Sequence, residues 1–193
     1  MRTLINVDIQ PEYEQYINSF TIPRWINFLN KINLKMKIIF LYNGKETLDM
    51  ISEDKYKEWL LENGVSDEVI DNAIFYDKGY AFFRYCMDES IDEDTIANFV
   101  RFMYENHIHD SRNMDRDMWA KYLRQYRRID KKEVYELFDR AEDCIHIPDL
   151  MDFLKNYNGI VLTGGGISQC LKEVEIALKA LKKDYTILRE FTY

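Results

Sequence analysis

"GIVLTGGGISQCLKEVEIALKAL", residues 159–181, is the stretch that decides the fold. An apolar, β-rich run at 159–163 meets Gly164-Gly165-Gly166. From about 168 to 182 the apolar residues then recur three and four apart. That order predicts a buried strand, a tight turn and a helix, the building unit of a parallel sheet. The glycines let the backbone take a turn that Cβ atoms obstruct, and Cys170 falls in the first turn of the helix.

The same alternation extends outward from this unit. "TLINVDI" (3–9) predicts a buried strand closed by Gln10-Pro11, with Asp8 at its carboxyl end. A helix begins near Pro23, a residue suited to a first turn, and "KMKIIFLYNG" (35–44) predicts a second strand ending in an Asn-Gly turn. Short helices follow at 53–63 and 66–72, the latter capped by Ser66. "AIFYDKGY" (73–80) predicts a third strand with Lys78 at its end, and "YTILREF" (185–191) a last one. Between about 90 and 157 the pattern is helix after helix: "IDEDTIANFVRFMYENH", "RDMWAKYLRQYRR", "KKEVYELFDRAEDC" and "IPDLMDFLKNYN". Strands alternating with helices argue for an α/β domain with a mostly parallel sheet covered on both faces. The long helical stretch carries no strand and reads as an insertion, set at about 88–146 of a single 1–193 domain.

Bulk properties narrow the functions. The 193 residues are 47% hydrophobic and 15% aromatic, enough to bury one sizeable core. Thirty-four acidic against 26 basic residues give a formal charge of −8, which repels a phosphate backbone and argues against nucleic acid. Three cysteines without a secretory start argue against a disulfide framework, and no apolar run approaches the ~20 residues that cross a bilayer. A soluble cytoplasmic protein with no membrane partner is expected.

The glycine loop fails the tests for phosphate binding. A Walker loop needs lysine and Ser/Thr directly after its last glycine, but Ile167-Ser168-Gln169-Cys170 follow and the first lysine is Lys172. A dinucleotide fingerprint needs a further glycine and belongs after the first strand rather than the fourth. A nucleophile fits better. At a helix N-terminus unpaired N–H groups and the helix dipole favour a thiolate, and the same N–H groups can hold an oxyanion. Cys86 and Cys144 read instead as small buried hydrophobes. A thiolate needs a proton acceptor and positive charge, and open α/β sheets gather such groups at the carboxyl ends of their strands. Asp8 and Lys78 end strands there: Asp8 to take the thiol proton and return it, Lys78 to stabilise anions.

Together these residues resemble the isochorismatase-like cysteine hydrolases, the group that includes nicotinamidases. The strand-end pattern Asp8-Ile9-Gln10-Pro11-Glu12-Tyr13, the "YDKGYAFF" segment with Lys78 and Phe82-Phe83, and a glycine six residues before the cysteine, Gly164 to Cys170, occur in the family's order. The likeness spans 3–84 and 147–191. It implies a three-layer α/β/α sandwich of sheet order about 3-2-1-4-5 and an Asp8, Lys78, Cys170 triad attacking a carbonyl-type carbon. It also implies a cis peptide between Gly165 and Gly166, with the N–H groups of Gly166 and Cys170 as oxyanion hole. Tyr13 and Phe83, with Arg84, are the substrate-pocket candidates, although core packing would also suit the two aromatic rings.

The chain departs from the family in several places. No histidine lies between Asp8 and Lys78, so a family-type metal site is not expected. "HIHD" (107–110) holds two histidines one residue apart, which share no helix face and have no cysteine nearby, so zinc is not expected there either. Ser168 stands where the family often has an acid. The helical insertion either covers the pocket and selects the substrate or forms the face of a homo-oligomer. Arg112 and Arg116 are available to an anionic substrate or simply solvated. The resemblance thus implies a metal-independent hydrolase, without a cofactor, of a small-molecule substrate with an amide or related C–N bond, hydrolysis of a vinyl ether also being open to the family. The rivals are a catalytically silent protein of the same fold that binds a ligand or partner and, behind it, a nucleotide-binding switch.

Overall fold

The computed structural model describes residues 2–17, 21–32, 35–44, 50–78, 91–108, 114–125 and 147–193. Five strands, β1 (Arg2–Val7), β2 (Met36–Tyr42), β3 (Ile74–Asp77), β4 (Ile160–Gly164) and β5 (Tyr185–Ile187), form one all-parallel sheet. Their order is β3-β2-β1-β4-β5, the order expected from the sequence, and the fold is α/β. A parallel sheet needs both faces covered, and β1 is accordingly buried throughout from Thr3 to Val7, its polar Asn6 included.

The chain divides into two compact units. One comprises Met1–Gly79, Tyr157–Lys172 and Asp184–Tyr193, and holds the whole sheet. Its helices are α1 (Thr21–Ile32), α2 (Glu53–Glu62) and α3 (Asp67–Asn72). Pro23 lies in the first turn of α1, and the Ser66 hydroxyl accepts the N–H of Val69 at 3.4 Å, capping α3 as its sequence predicts. One core gathers Leu4 of β1, Ile38 and Phe40 of β2, Trp25 and Leu29 of α1, and Tyr56 and Leu60 of α2. Phe40 stands edge-on to both Trp25 and Tyr56 and stacks on Phe75. The Trp25 indole donates to Asn6 at 2.8 Å and Thr163 donates to the same oxygen at 2.7 Å, so the buried polar atoms of β1 and β4 are paired.

The last strand is shorter than the 185–191 run suggested. Leu188 still donates to Leu162, but Arg189–Phe191 then forms a 3-10 turn. Packing explains the break: the turn carries Phe191 into the core, stacked on Phe28 at 5.0 Å.

The other unit, Tyr80–Asn156 with Glu173–Lys183, contains α4 (Glu93–Glu105), α5 (Arg116–Gln125) and α6 (Ile147–Leu154). Phe99 and Phe102 of α4 pack edge-on against the buried Tyr122 of α5, which also meets Trp119. Helix α7 (Cys170–Ala180) contributes its first residues to the sheet unit and the rest to this one. There Arg101 donates to the carbonyls of Lys179 and Ala180, satisfying acceptors at the end of α7. The helix expected from "KKEVYELFDRAEDC" lies outside the described residues. Among the described residues no helix is long and apolar enough to cross a membrane.

A side-chain latch fixes how β3 lies on β2. The Gly44 N–H donates to Asp77 Oδ1 at 2.8 Å, and a Cβ on Gly44 would stand 2.2 Å from Asp77 Oδ2. A side chain there would have to displace the Asp77 carboxylate that the Gly44 N–H holds. One residue beyond Asp77, the Lys78 N–H donates to the Tyr42 carbonyl at 2.9 Å.

Candidate functional site

The carboxyl edge of the sheet carries the polar residues. Asp8 follows β1 directly, its N–H donating to Leu41 at 2.8 Å, and its φ of 50° lies in the left-handed region. Aspartate is one of the few side chains that accepts that conformation, and such positions concentrate at functional sites. The Asp8 side chain is fully buried. Lys78, one residue past β3, is buried with it, and its Nζ lies 3.0 Å from Asp8 Oδ2. In the strand order β3 is two spacings from β1, roughly 10 Å. The lysine closes that gap by extending across the end of β2, where Asn43 Oδ1 accepts from Nζ at 3.1 Å.

The pair is an ion pair rather than an aligned hydrogen bond. Neither carboxylate oxygen of Asp8 has a hydrogen-bond donor among the described residues. Burying such a group is costly unless charge or donors compensate, and Lys78 supplies the charge. The oxygens therefore retain the capacity to accept a proton or a further donor.

Cys170 opens α7 and is buried. The loop that delivers it turns on two left-handed glycines, Gly164 (φ 77°) and Gly165 (φ 60°). A Cβ at Gly164 would stand 2.3 Å from the Val7 carbonyl oxygen, and at Gly165 2.9 Å from the Leu171 nitrogen. Gly166 differs, since its nearest neighbour would be Gln169 Cβ at 3.5 Å, an ordinary contact. The expected cis bond between Gly165 and Gly166 is absent; there is no cis peptide among the described residues. The two left-handed glycines already reverse the chain, so the turn does not need one. The Gly166 carbonyl accepts from Gln169 at 2.9 Å and Leu171 at 3.2 Å, closing the loop onto the start of α7. Gly166 and Cys170, the two expected oxyanion donors, thus flank one tight turn.

Tyr193 ties this loop to Asp8, a role the sequence did not suggest. Its N–H donates to Gly165 at 3.3 Å, its carbonyl accepts from Ile167 at 2.9 Å, and its hydroxyl donates to the Asp8 carbonyl at 2.9 Å. Burial pushes the phenol well above its ordinary range, and electrostatic interaction with Asp8 and, less, with Cys170 acts in the same direction. Tyr56, whose hydroxyl donates to Ile9 at 2.6 Å, is raised first by burial and then by Asp8.

Asn43 and Gln10 were also not singled out. Asn43 read as half of an Asn-Gly turn, yet it is fully buried between Lys78 and Tyr13. Tyr13 is half-buried on the 3-10 helix Pro11–Tyr16, its hydroxyl accepting from Asn43 at 2.9 Å and meeting Met50 Sδ at 3.5 Å. Of the other expected residues, Phe83, Arg84, Cys86, Arg112, His109, Cys144 and His146 lie outside the described residues. Arg116 is exposed at the start of α5, and His107 is exposed just past α4. Among the described residues no three His, Cys, Asp or Glu side chains gather as metal donors.

A cleft of about 620 Å³ lies beside the ends of β2 and β3, lined by Tyr42, Ile51, Ser52, Glu53, Phe75, Tyr76 and Asp77. None of Asp8, Lys78 and Cys170 lines it, so size alone does not mark the chemistry here.

No family model, curated protein or solved structure matches the chain.

Proposed function

We propose that the chain is a metal-independent cysteine hydrolase of the isochorismatase-like kind, cleaving a small amide or related C–N bond in a reducing cytoplasm. The observation that carries the proposal is the buried Asp8–Lys78 pair, whose carboxylate has a counter-charge but no hydrogen-bond donor among the described residues. A structural ion pair normally satisfies its oxygens as fully as its charge. A carboxylate left open at the carboxyl edge of a parallel sheet is suited to accept a proton.

In this scheme Asp8 takes the Cys170 proton and the thiolate adds to the substrate carbonyl carbon. The negative oxygen is met by the N–H groups of Gly166 and Cys170. Asp8 returns the proton to the leaving nitrogen as the C–N bond breaks, leaving a thioester on Cys170. Water then attacks with Asp8 again as base, releasing the carboxylic acid and the thiol. Lys78 keeps one positive charge facing whichever group is anionic. Tyr13 borders the substrate, with Phe83 and Arg84 carried over from the resemblance.

The test is iodoacetamide labelling with peptide mapping, alongside turnover of a panel of small amides. Cys170 is expected to label near neutral pH well ahead of Cys86 and Cys144, and turnover to vanish in Cys170→Ala and Asp8→Asn. Uniform slow labelling of all three cysteines with no turnover would overturn the proposal. The offset of the 620 Å³ cleft from the ion pair favours the second reading, a ligand-binding protein without turnover. That reading predicts ligand affinity unchanged in Cys170→Ser.

A further inference from the structure

Asn43 is held more tightly than an Asn-Gly turn requires. Gln10 uses both ends of its side-chain amide on the Asn43 backbone: Oε1 accepts the N–H at 2.9 Å and Nε2 donates to the carbonyl at 3.2 Å. A side chain here takes the place of a strand neighbour. Gln10 Nε2 also donates to Glu12 at 2.9 Å, and Gln10, Asn43 and Asp8 are all fully buried.

The chemistry fixes which way the Asn43 amide points. Lysine is a pure donor, so the atom 3.1 Å from Nζ must be the amide oxygen. The amide nitrogen then faces Tyr13, whose oxygen accepts at 2.9 Å. A neutral amide gives the ammonium an acceptor without adding a second negative charge that would compete with Asp8.

We infer that Asn43, clamped by Gln10, is the positioning residue that holds the Lys78 ammonium in place while Asp8 carries the proton. This rests on the hydrolase reading above. In that cycle Asp8 becomes neutral once it accepts the thiol proton, and the attraction that drew Lys78 to it disappears. The bond to Asn43 does not depend on that charge, so the ammonium stays where the thiolate and its adduct need it.

The test is the pH dependence of iodoacetamide labelling at Cys170 in the full-length chain, for wild type, Asn43→Ala, Lys78→Met and the double variant. Asn43→Ala is expected to raise the pH midpoint of labelling by about one unit. It is also expected to lower kcat about tenfold on the best panel amide with little change in KM. In the Lys78→Met background the same substitution is expected to have no further effect, because Asn43 acts through the lysine. An unchanged midpoint in Asn43→Ala, or an equal shift with and without Lys78, would overturn the inference while leaving the hydrolase reading intact. A wild-type midpoint at the ordinary thiol value that ignores Lys78→Met would overturn both. Should Asn43→Ala fail to fold, Asn43→Leu, which keeps the branching at Cγ without the amide, is read by the same criteria.

Discussion

The ammonium of Lys78 and the carboxylate of Asp8 lie 3.0 Å apart with both side chains sealed from solvent, although their strands are separated by a third. Removing one member leaves the other charge buried without compensation. Asp8→Asn is expected to lower unfolding stability by about 3–5 kcal/mol, and adding Lys78→Met to recover a substantial part of that loss. Urea unfolding of the single and double variants checks this. An unchanged midpoint in Asp8→Asn would mean that Lys78 finds water.

Gly164 and Gly166 are expected to separate sharply. Gly164→Ala puts a methyl 2.3 Å from the Val7 carbonyl oxygen at a φ of 77°, and should cost more than about 2 kcal/mol or prevent folding. Gly166→Ala meets only an ordinary contact and should stay within about 1 kcal/mol of wild type while keeping its N–H and any activity. Thermal melts and the amide panel distinguish the two.

Alkali should destabilise the protein through Tyr56 and Tyr193. Both phenols are raised above 10.0, chiefly by burial, so above that pH the unfolded chain loses protons that the folded chain retains. Stability from these groups is complete below pH 10.0 and declines as pH rises toward the folded values. Urea midpoints measured between pH 8 and 11 should fall above about 10, and less steeply in Tyr193→Phe.

Tyr193→Phe keeps the ring and removes only the hydroxyl that donates to the Asp8 carbonyl. The expected loss is about 1 kcal/mol of stability. Asp8 is also released from one of the contacts that hold its left-handed backbone, so turnover should fall with no loss of folded protein. Circular dichroism alongside the amide panel checks both parts.

The sheet was legible because its signals are local. Apolar runs closed by Asp8, Asn43-Gly44, Lys78 and Gly164 mark strand ends, and their order along the chain leaves few parallel topologies. The pairing of Asp8 with Lys78 followed from a general rule about strand ends rather than from either residue. Asn43 and Tyr193 were missed for a different reason: they reach Lys78 and Asp8 across 35 or more positions of sequence, through hydrogen bonds that no periodicity records. Gln10 lay in plain view beside Asp8, but its role depends on which backbone it meets. The trans Gly165–Gly166 bond shows the opposite error, a feature carried over from a resemblance where two left-handed glycines suffice.

The latch between Asp77 and Gly44 gives the charge at this site a registration mark. Side chains along a strand alternate between the two faces of the sheet, so a slip of β3 by one residue would send Lys78 to the opposite face. Asp8 would then be a buried anion with no cation. Two residues outside the proposed reaction thus decide whether the edge of the sheet is neutral or charged, and a substitution at Gly44 would be felt at Asp8 as a loss of its counter-charge.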